Sequence, residues 1–173
     1  MTIYYFEKPQ SLNKNQPLEI KNSENQIVAK ITKTAAKILF SKENTPFSFQ
    51  DSADQEDAYL TLELGWLGKT RPVIVYHDKL NQKEIAFEEI SDTQAPLHLH
   101  SKEADFPIDI FEQPSQRSLL IKFHQQESAF IQEFQNDSSK SYLRVKILVD
   151  NTNIPDSFFL LSYFIFHLIK NEF

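Results

Sequence analysis

Residues Phe158 to Ile169 read FFLLSYFIFHLI, a run in which only Ser162 and His167 interrupt the apolar side chains. Just ahead of it, Pro155, Asp156 and Ser157 supply the chemistry of a helix start: a proline suited to the first turn and short polar side chains that cap free amides. The sequence therefore predicts a helix over residues 155–171. Its large side chains point in every direction around the axis, and a helix apolar all round must be buried all round. Twelve residues at about 1.5 Å each reach only ~18 Å, short of the ~30 Å hydrocarbon core of a bilayer. Lys170 then closes the run. Burial inside protein fits this segment better than a membrane span or a tail anchor.

What surrounds the helix is written in the preceding residues, which alternate with period two. Leu18 and Ile20 oppose Glu19 and Lys21; Ile27, Ala29 and Ile31 oppose Lys30 and Thr32. The same reading holds for Leu60, Leu62, Leu64 and Trp66, for Leu97 and Leu99, and for Phe106, Ile108 and Ile110. It continues through Leu119, Ile121 and Phe123, through Phe130, Gln132 and Phe134, and through Leu143, Val145, Ile147 and Val149. With residues 3–7, 36–41, 72–77 and 84–90 this makes about twelve strands, plus one uncertain piece at 46–50. Short polar connections such as Asn22 to Asn25, Asp78 to Lys83 and Gln113 to Arg117 read as hairpins. The polar stretch Ser41 to Asp57 reads as an exposed loop.

The two patterns constrain each other. About twelve strands each need one dry face covered, and one helix needs covering on every side. The economical solution is a closed, mostly antiparallel barrel, its strands drawn from residues 3–150, wrapped around a central C-terminal helix. Barrels of eleven strands are wide enough to hold a helix of ~10 to 12 Å, whereas eight strands leave room only for side chains. At 173 residues the chain has the length of one domain, with no linker dividing it.

Composition removes several function classes. Gly65 and Gly68 are the only glycines, so dinucleotide fingerprints, Walker loops and Gly-x-Ser-x-Gly elbows are excluded. Without cysteine there is no disulfide framework, thiol nucleophile or zinc ribbon. The net charge of −6, with three arginines, argues against nucleic acid as a partner. The charge is uneven, however: residues 1–50 hold seven Lys against four Glu, while residues 51–113 hold fourteen carboxylates against five cations. Met1 to Gln10, with Glu7 and Lys8 in an aromatic stretch, does not read as a signal peptide, which points to the cytoplasm.

A many-stranded barrel ending in a very apolar helix resembles the tubby C-terminal-like superfamily, which includes tubby domains, plant LURP-one-related proteins and phospholipid scramblases. The early hairpin IKNSENQIVAKI, Ile20 to Ile31, is similar to the family's strand, turn, strand unit, with Asn25 where many members carry Gly. The lead from Asp150 to Asp156 into FFLLSYFIF is similar to the family's Asp-containing approach to its helix. The resemblance implies a non-enzymatic module that meets anionic phospholipid headgroups. No headgroup motif of the family is matched residue by residue. The scramblase calcium segment is not matched either: counted from Asp150, an EF-hand needs Gly where Pro155 stands and Glu where Leu161 stands.

From the residues themselves, Lys30, Lys33, Lys37 and Lys42 are the candidate anion contacts, on adjacent expected strands. Binding there would place the protein peripherally at the inner membrane face. The competing reading is a soluble module that binds a protein partner through Phe47 and Phe49 or the acidic loop. A weaker one is a metal-dependent enzyme at His98 and His100, whose spacing puts both imidazoles on one strand face, with His77, His124 and Glu103 as further candidate ligands. His167 reads as a core histidine, and a barrel filled by a helix is expected to have no deep cavity. No cofactor is expected, and paired-carboxylate hydrolysis is not favoured. The Asn, Lys and Gln bias suggests an AT-rich bacterial genome.

Overall fold

The computed structural model describes residues 1–9, 17–33, 44–63, 73–91, 96–101, 107–135, 140–148 and 154–170. Twelve strands precede one helix: β1 (Thr2–Glu7), β2 (Leu18–Asn22), β3 (Ile27–Lys33), β4 (Asn44–Asp51), β5 (Glu56–Glu63), β6 (Val73–Asp78), β7 (Lys83–Glu89), β8 (His98–Ser101), β9 (Ile108–Gln113), β10 (Ser118–Phe123), β11 (Gln126–Gln135), β12 (Ser141–Ile147) and α1 (Asp156–Ile169). Each strand pairs antiparallel with its neighbour in sequence, and β1 pairs with β12 to close the barrel. A single 3-10 turn, Pro114–Gln116, separates β9 from β10. The expected barrel around a C-terminal helix is therefore the observed fold.

Period-two alternation becomes an inside and an outside. Ile20, Ile31, Leu60, Ile74, Leu99, Ile108, Ile110, Ile121 and Val145 are fully buried and face the helix, which answers with Phe158, Leu161, Phe164 and Ile165. Different sides of α1 reach different walls: Phe158 packs against Tyr76, Phe87 and Phe123 at ring separations of 5.3, 5.9 and 5.9 Å, and Phe164 against Phe6 and Phe47 at 6.3 and 4.7 Å. Burying about ten such side chains at ~1.5 to 3 kcal/mol each gives a gross gain of tens of kcal/mol before conformational entropy is subtracted. The helix's few polar groups are satisfied. Ser162 Oγ donates to the Phe158 carbonyl at 2.8 Å, Ser157 Oγ lies 2.9 Å from the Tyr76 hydroxyl, and the Tyr4 hydroxyl donates to Asp156.

Hairpins in a chain so poor in glycine need another device. Asn25, Asp54, Gln82 and Gln125 hold left-handed φ of 62°, 60°, 52° and 70°. Polar side chains at the strand ends tie these turns together. Asn22 Oδ1 accepts the amides of Glu24 and Gln26 at 3.0 Å, Asp51 Oδ1 those of Ala53 and Gln55 at 2.8 and 2.9 Å, and Asp78 Oδ1 that of Asn81 at 3.0 Å. In the first two of these turns the side-chain acceptor adds to the backbone bonds that close the hairpin, and Asn25 and Asp54 take the left-handed position where glycine is otherwise common.

Several expectations are corrected. Residues 41–57 do not form one exposed loop: β4 and the start of β5 lie there, and Ser52 to Gln55 make a tight turn. Phe47 and Phe49, expected as an exposed aromatic patch, are 0% and 7% exposed because they occupy the inward positions of β4. The expected strand 36–41 and the residues Leu64, Trp66 and Phe106 lie outside the described residues. Among the described residues no helix is long and apolar enough to cross a membrane.

Because α1 supplies the inner half of the core, removing residues 155–173 is expected to abolish cooperative folding. Phe164→Ala, which empties a fully buried ring site, is expected to cost about 3 to 5 kcal/mol. Urea unfolding followed by circular dichroism checks both; a truncated chain that melts cooperatively would refute the plugged barrel.

Candidate functional site

Of the four candidate lysines, Lys30 and Lys33 do not share a face of β3. Lys30, at an outward position of β3, is held by Asp54 at 2.7 Å, which cancels its charge locally. That pairing, chiefly through the hydrogen bond, raises the Lys30 pKa. Lys33 is three residues further along the same strand, so it has the opposite, inward phase, and it stands in register with the buried Phe47. Lys37 and Lys42 lie outside the described residues.

His98 and His100 do share the outer face of β8. Register with β9 sets His98 opposite Phe111 and His100 opposite Asp109. His98 Nε2 and His100 Nδ1 both lie 2.8 Å from the same Asp109 oxygen, Oδ1. The carboxylate is 6% exposed, while the two imidazoles are 26% and 37% exposed. A buried carboxylate accepting from both rings fixes which nitrogen of each carries a proton. His98 also stacks on Phe111 at 4.1 Å, and Lys122 Nζ sits 5.3 Å from the other end of that stack, the Phe111 ring centroid. Among the described residues no group of three His, Asp or Glu is disposed to hold a metal ion. Of the further candidates, His124 lies in the β10–β11 turn and Glu103 lies outside the described residues.

His77 belongs to a separate cluster on the outer wall. Its Nε2 is 2.7 Å from Thr61 Oγ1, its Nδ1 is 3.0 Å from Glu84 Oε1, and its ring stacks on Tyr59 at 4.4 Å. A hydroxyl, an imidazole and a carboxylate in series have the order of a nucleophile relay. Thr61 is 4% exposed, however, so the arrangement is a buried-to-surface tie that cross-links β5, β6 and β7.

Two further features emerge only in three dimensions. The first is the outer face of β11, β12 and β1. Alternation there turns Phe130, Gln132 and Phe134 outward, beside Tyr142, Arg144 and Lys146 and then Ile3 and Tyr5. Phe134 stacks on Tyr142 at 5.8 Å and meets Tyr5 edge-on at 6.1 Å. Arg144 donates to Gln132 at 2.7 Å, and neither its charge nor that of Lys146 is matched by a carboxylate among the described residues. The result is an aromatic surface interleaved with two uncompensated cations.

The second is at one end of the barrel. Where the last turns of α1 meet β9, β10, β11 and β12, a half-open depression of about 270 Å³ lies at the mouth. Leu119, Ile131, Leu143, Tyr163 and Phe166 wall it; Lys8, Glu112, Arg117, Glu133 and His167 rim it. Its apolar walls are nearly closed to solvent, Leu119, Ile131, Leu143 and Phe166 being 6%, 1%, 2% and 2% exposed. His167 is half-buried at this opening, 4.2 Å from the Tyr163 ring, and is not a core residue. Glu133 is bound by Lys8 and Glu112 by Lys170, each at 2.7 Å. Burial alone would push the Glu112 carboxyl up. Hydrogen bonds from Lys170 and the Leu97 amide, with the nearby charges of Lys170 and His167, outweigh burial and hold it below its ordinary value.

A carboxyl held low in the folded state stabilises above its unfolded pKa, and that gain disappears as pH falls through the folded value. Acidification is therefore expected to loosen the barrel end, and Glu112→Gln to flatten that part of the stability profile below about pH 4.5, the ordinary glutamate value. Asp109→Ala, which strips both imidazoles of their shared acceptor, is expected to cost about 1 to 3 kcal/mol. Urea unfolding across pH measures both effects; an unchanged midpoint for Asp109→Ala would mean that the cluster carries no stability.

Compared with protein-family models, curated proteins and solved structures, the chain returns no match.

Proposed function

We propose that this chain is a non-enzymatic, tubby-like barrel that docks on anionic phospholipid surfaces. The observation that carries the reading is the outer face of β11, β12 and β1, where Tyr5, Phe130, Phe134 and Tyr142 alternate with Arg144 and Lys146. Aromatic rings settle at the headgroup level of a bilayer, and each nearby cation contributes about 1 kcal/mol against an acidic leaflet. Phe134, 37% exposed, is among the few large apolar side chains that the barrel leaves in water.

The anion contact expected at the N-terminal lysines is thereby moved. Lys30 already has Asp54 as its counter-charge, whereas Arg144 has only the neutral Gln132 amide. Two cations amid rings that pack on one another form a small docking face. They are too few for nucleic acid, whose binding scales with the number of phosphates neutralised.

Co-sedimentation with neutral phosphatidylcholine vesicles and with vesicles containing phosphatidylserine, at low and high salt, tests the reading. Binding to the acidic vesicles alone, weakened by salt, is expected. Replacing Arg144 and Lys146 together by Gln removes about 2 kcal/mol and is expected to lower partitioning roughly thirtyfold. Lys30→Gln is expected to leave it unchanged. Absence of binding at low salt, or equal binding by the double variant, would overturn the proposal, and a soluble protein partner would then be the better account.

A further inference from the structure

Register across the closing seam of the barrel brings a third cation to the docking face. Ile20 is buried against the helix, so Lys21, the next residue of β2, faces outward, and it stands opposite Tyr5 of β1. On the other side of Tyr5, β12 sets Arg144 in the same row. Lys21 and Arg144 are thus two strand spacings apart with Tyr5 between them, about 10 Å at ~4.8 Å per strand. Their side chains are long enough to close that gap from both sides, and Lys146 stands two residues further along β12. None of the three has a carboxylate partner among the described residues. Elsewhere on the barrel Lys30, Lys79 and Lys140 are held by Asp54, Glu56 and Glu7. The Arg144 guanidinium is steadied by the Gln132 amide oxygen at 2.7 Å, and the Tyr5 hydroxyl between the cations has no hydrogen-bond partner among the described residues.

We infer that Lys21, Tyr5 and Arg144 together take the phosphomonoester headgroup of a membrane lipid, phosphatidic acid being the simplest, in preference to singly charged headgroups. The inference rests on the membrane-docking reading and narrows its ligand. A phosphomonoester carries a charge of about −1.5 to −2 at pH 7 and three terminal oxygens, enough to meet two cations and a hydroxyl at once. The phosphodiester of phosphatidylserine offers two free oxygens and a single charge. Arginine presents a planar fork that two phosphate oxygens fill together, which lysine does not. Shape bounds the headgroup. The outer face of a closed barrel is convex, so it does not enclose a bulky headgroup, and the phosphate has to sit directly on the lipid's glycerol, at the level where Phe130, Phe134 and Tyr142 meet the interface.

Co-sedimentation tests it, with phosphatidylcholine vesicles containing either phosphatidic acid or phosphatidylserine at twice that mole fraction, so that the second set carries no less charge. Partitioning onto the phosphatidic acid vesicles is expected to be roughly fivefold stronger or more. Arg144→Lys keeps the charge and removes the fork; it is expected to partition onto phosphatidylserine as the parent does and to lose the preference. Lys21→Gln is expected to weaken binding to both sets and to bring their ratio towards one. Both side chains face outward, so both variants are expected to melt at the parent's temperature. Glycerol 3-phosphate separates a lipid source from a soluble one: it is expected to release the protein from phosphatidic acid vesicles only at millimolar concentration, and release at micromolar concentration would assign the site to a soluble phosphate ester and overturn the lipid headgroup. Equal binding to the two acidic sets, or a preference that survives Arg144→Lys, would overturn the inference and leave membrane docking standing. Absence of binding to either set would overturn both.

Discussion

Everything in this barrel depends on a helix that has no face fit for water. Ser157 through Phe166 are buried without interruption, so α1 carries no exposed stripe until His167 and Leu168 at its last turn. A sandwich or an open sheet covers one side of a helix. Only a closed wall covers all of it, and closure is also what removes the two sheet edges that twelve antiparallel strands would otherwise leave unpaired. The helix and the closure are thus two halves of one solution: without the plug, the inward Ile, Leu and Phe of the strands line a void, and without the wall, the plug is insoluble.

This dependence explains why so much of the architecture was legible in the sequence. Ile20, Ile31, Leu60 and Leu99 announced their inward phase by simple alternation, and the all-round apolar helix required the barrel to close. Legibility failed where composition masked the period. In β4, Phe47 and Phe49 alternate with Ser48 and Gln50, but Asn, Asp, Ser and Gln on either side made residues 41–57 read as loop. Those polar residues belong largely to a turn built from Asp51 and Asp54, where side-chain acceptors do what glycine does elsewhere.

Sites were less legible than strands because register is absent from a linear pattern. That His98 and His100 share a face follows from their spacing; that Asp109 lies between them follows only from the pairing of β8 with β9. Likewise Phe130 and Phe134 in one strand, and Arg144 and Lys146 in the next, were each evident alone. Their juxtaposition with Tyr5 needs β1 to close against β12, the one pairing between strands at opposite ends of the sequence. Arg117 carried no signal at all. It sat in a five-residue polar connection, and its isolation arises because neighbouring carboxylates found Lys8 and Lys170 first.

The outer aromatic face and the opening at the barrel end meet along one rim, and alternation is the reason. On β11, Glu133 faces the cavity while Phe134 faces outward; on β12, Leu143 faces the cavity while Tyr142 faces outward. Adjacent residues on a strand point to opposite sides of a wall one chain thick, so the aromatic end of the outer face and the opening beside Arg117 are separated only by the backbone. A barrel resting on a bilayer by Phe134 and Tyr142 would hold that opening near the headgroups.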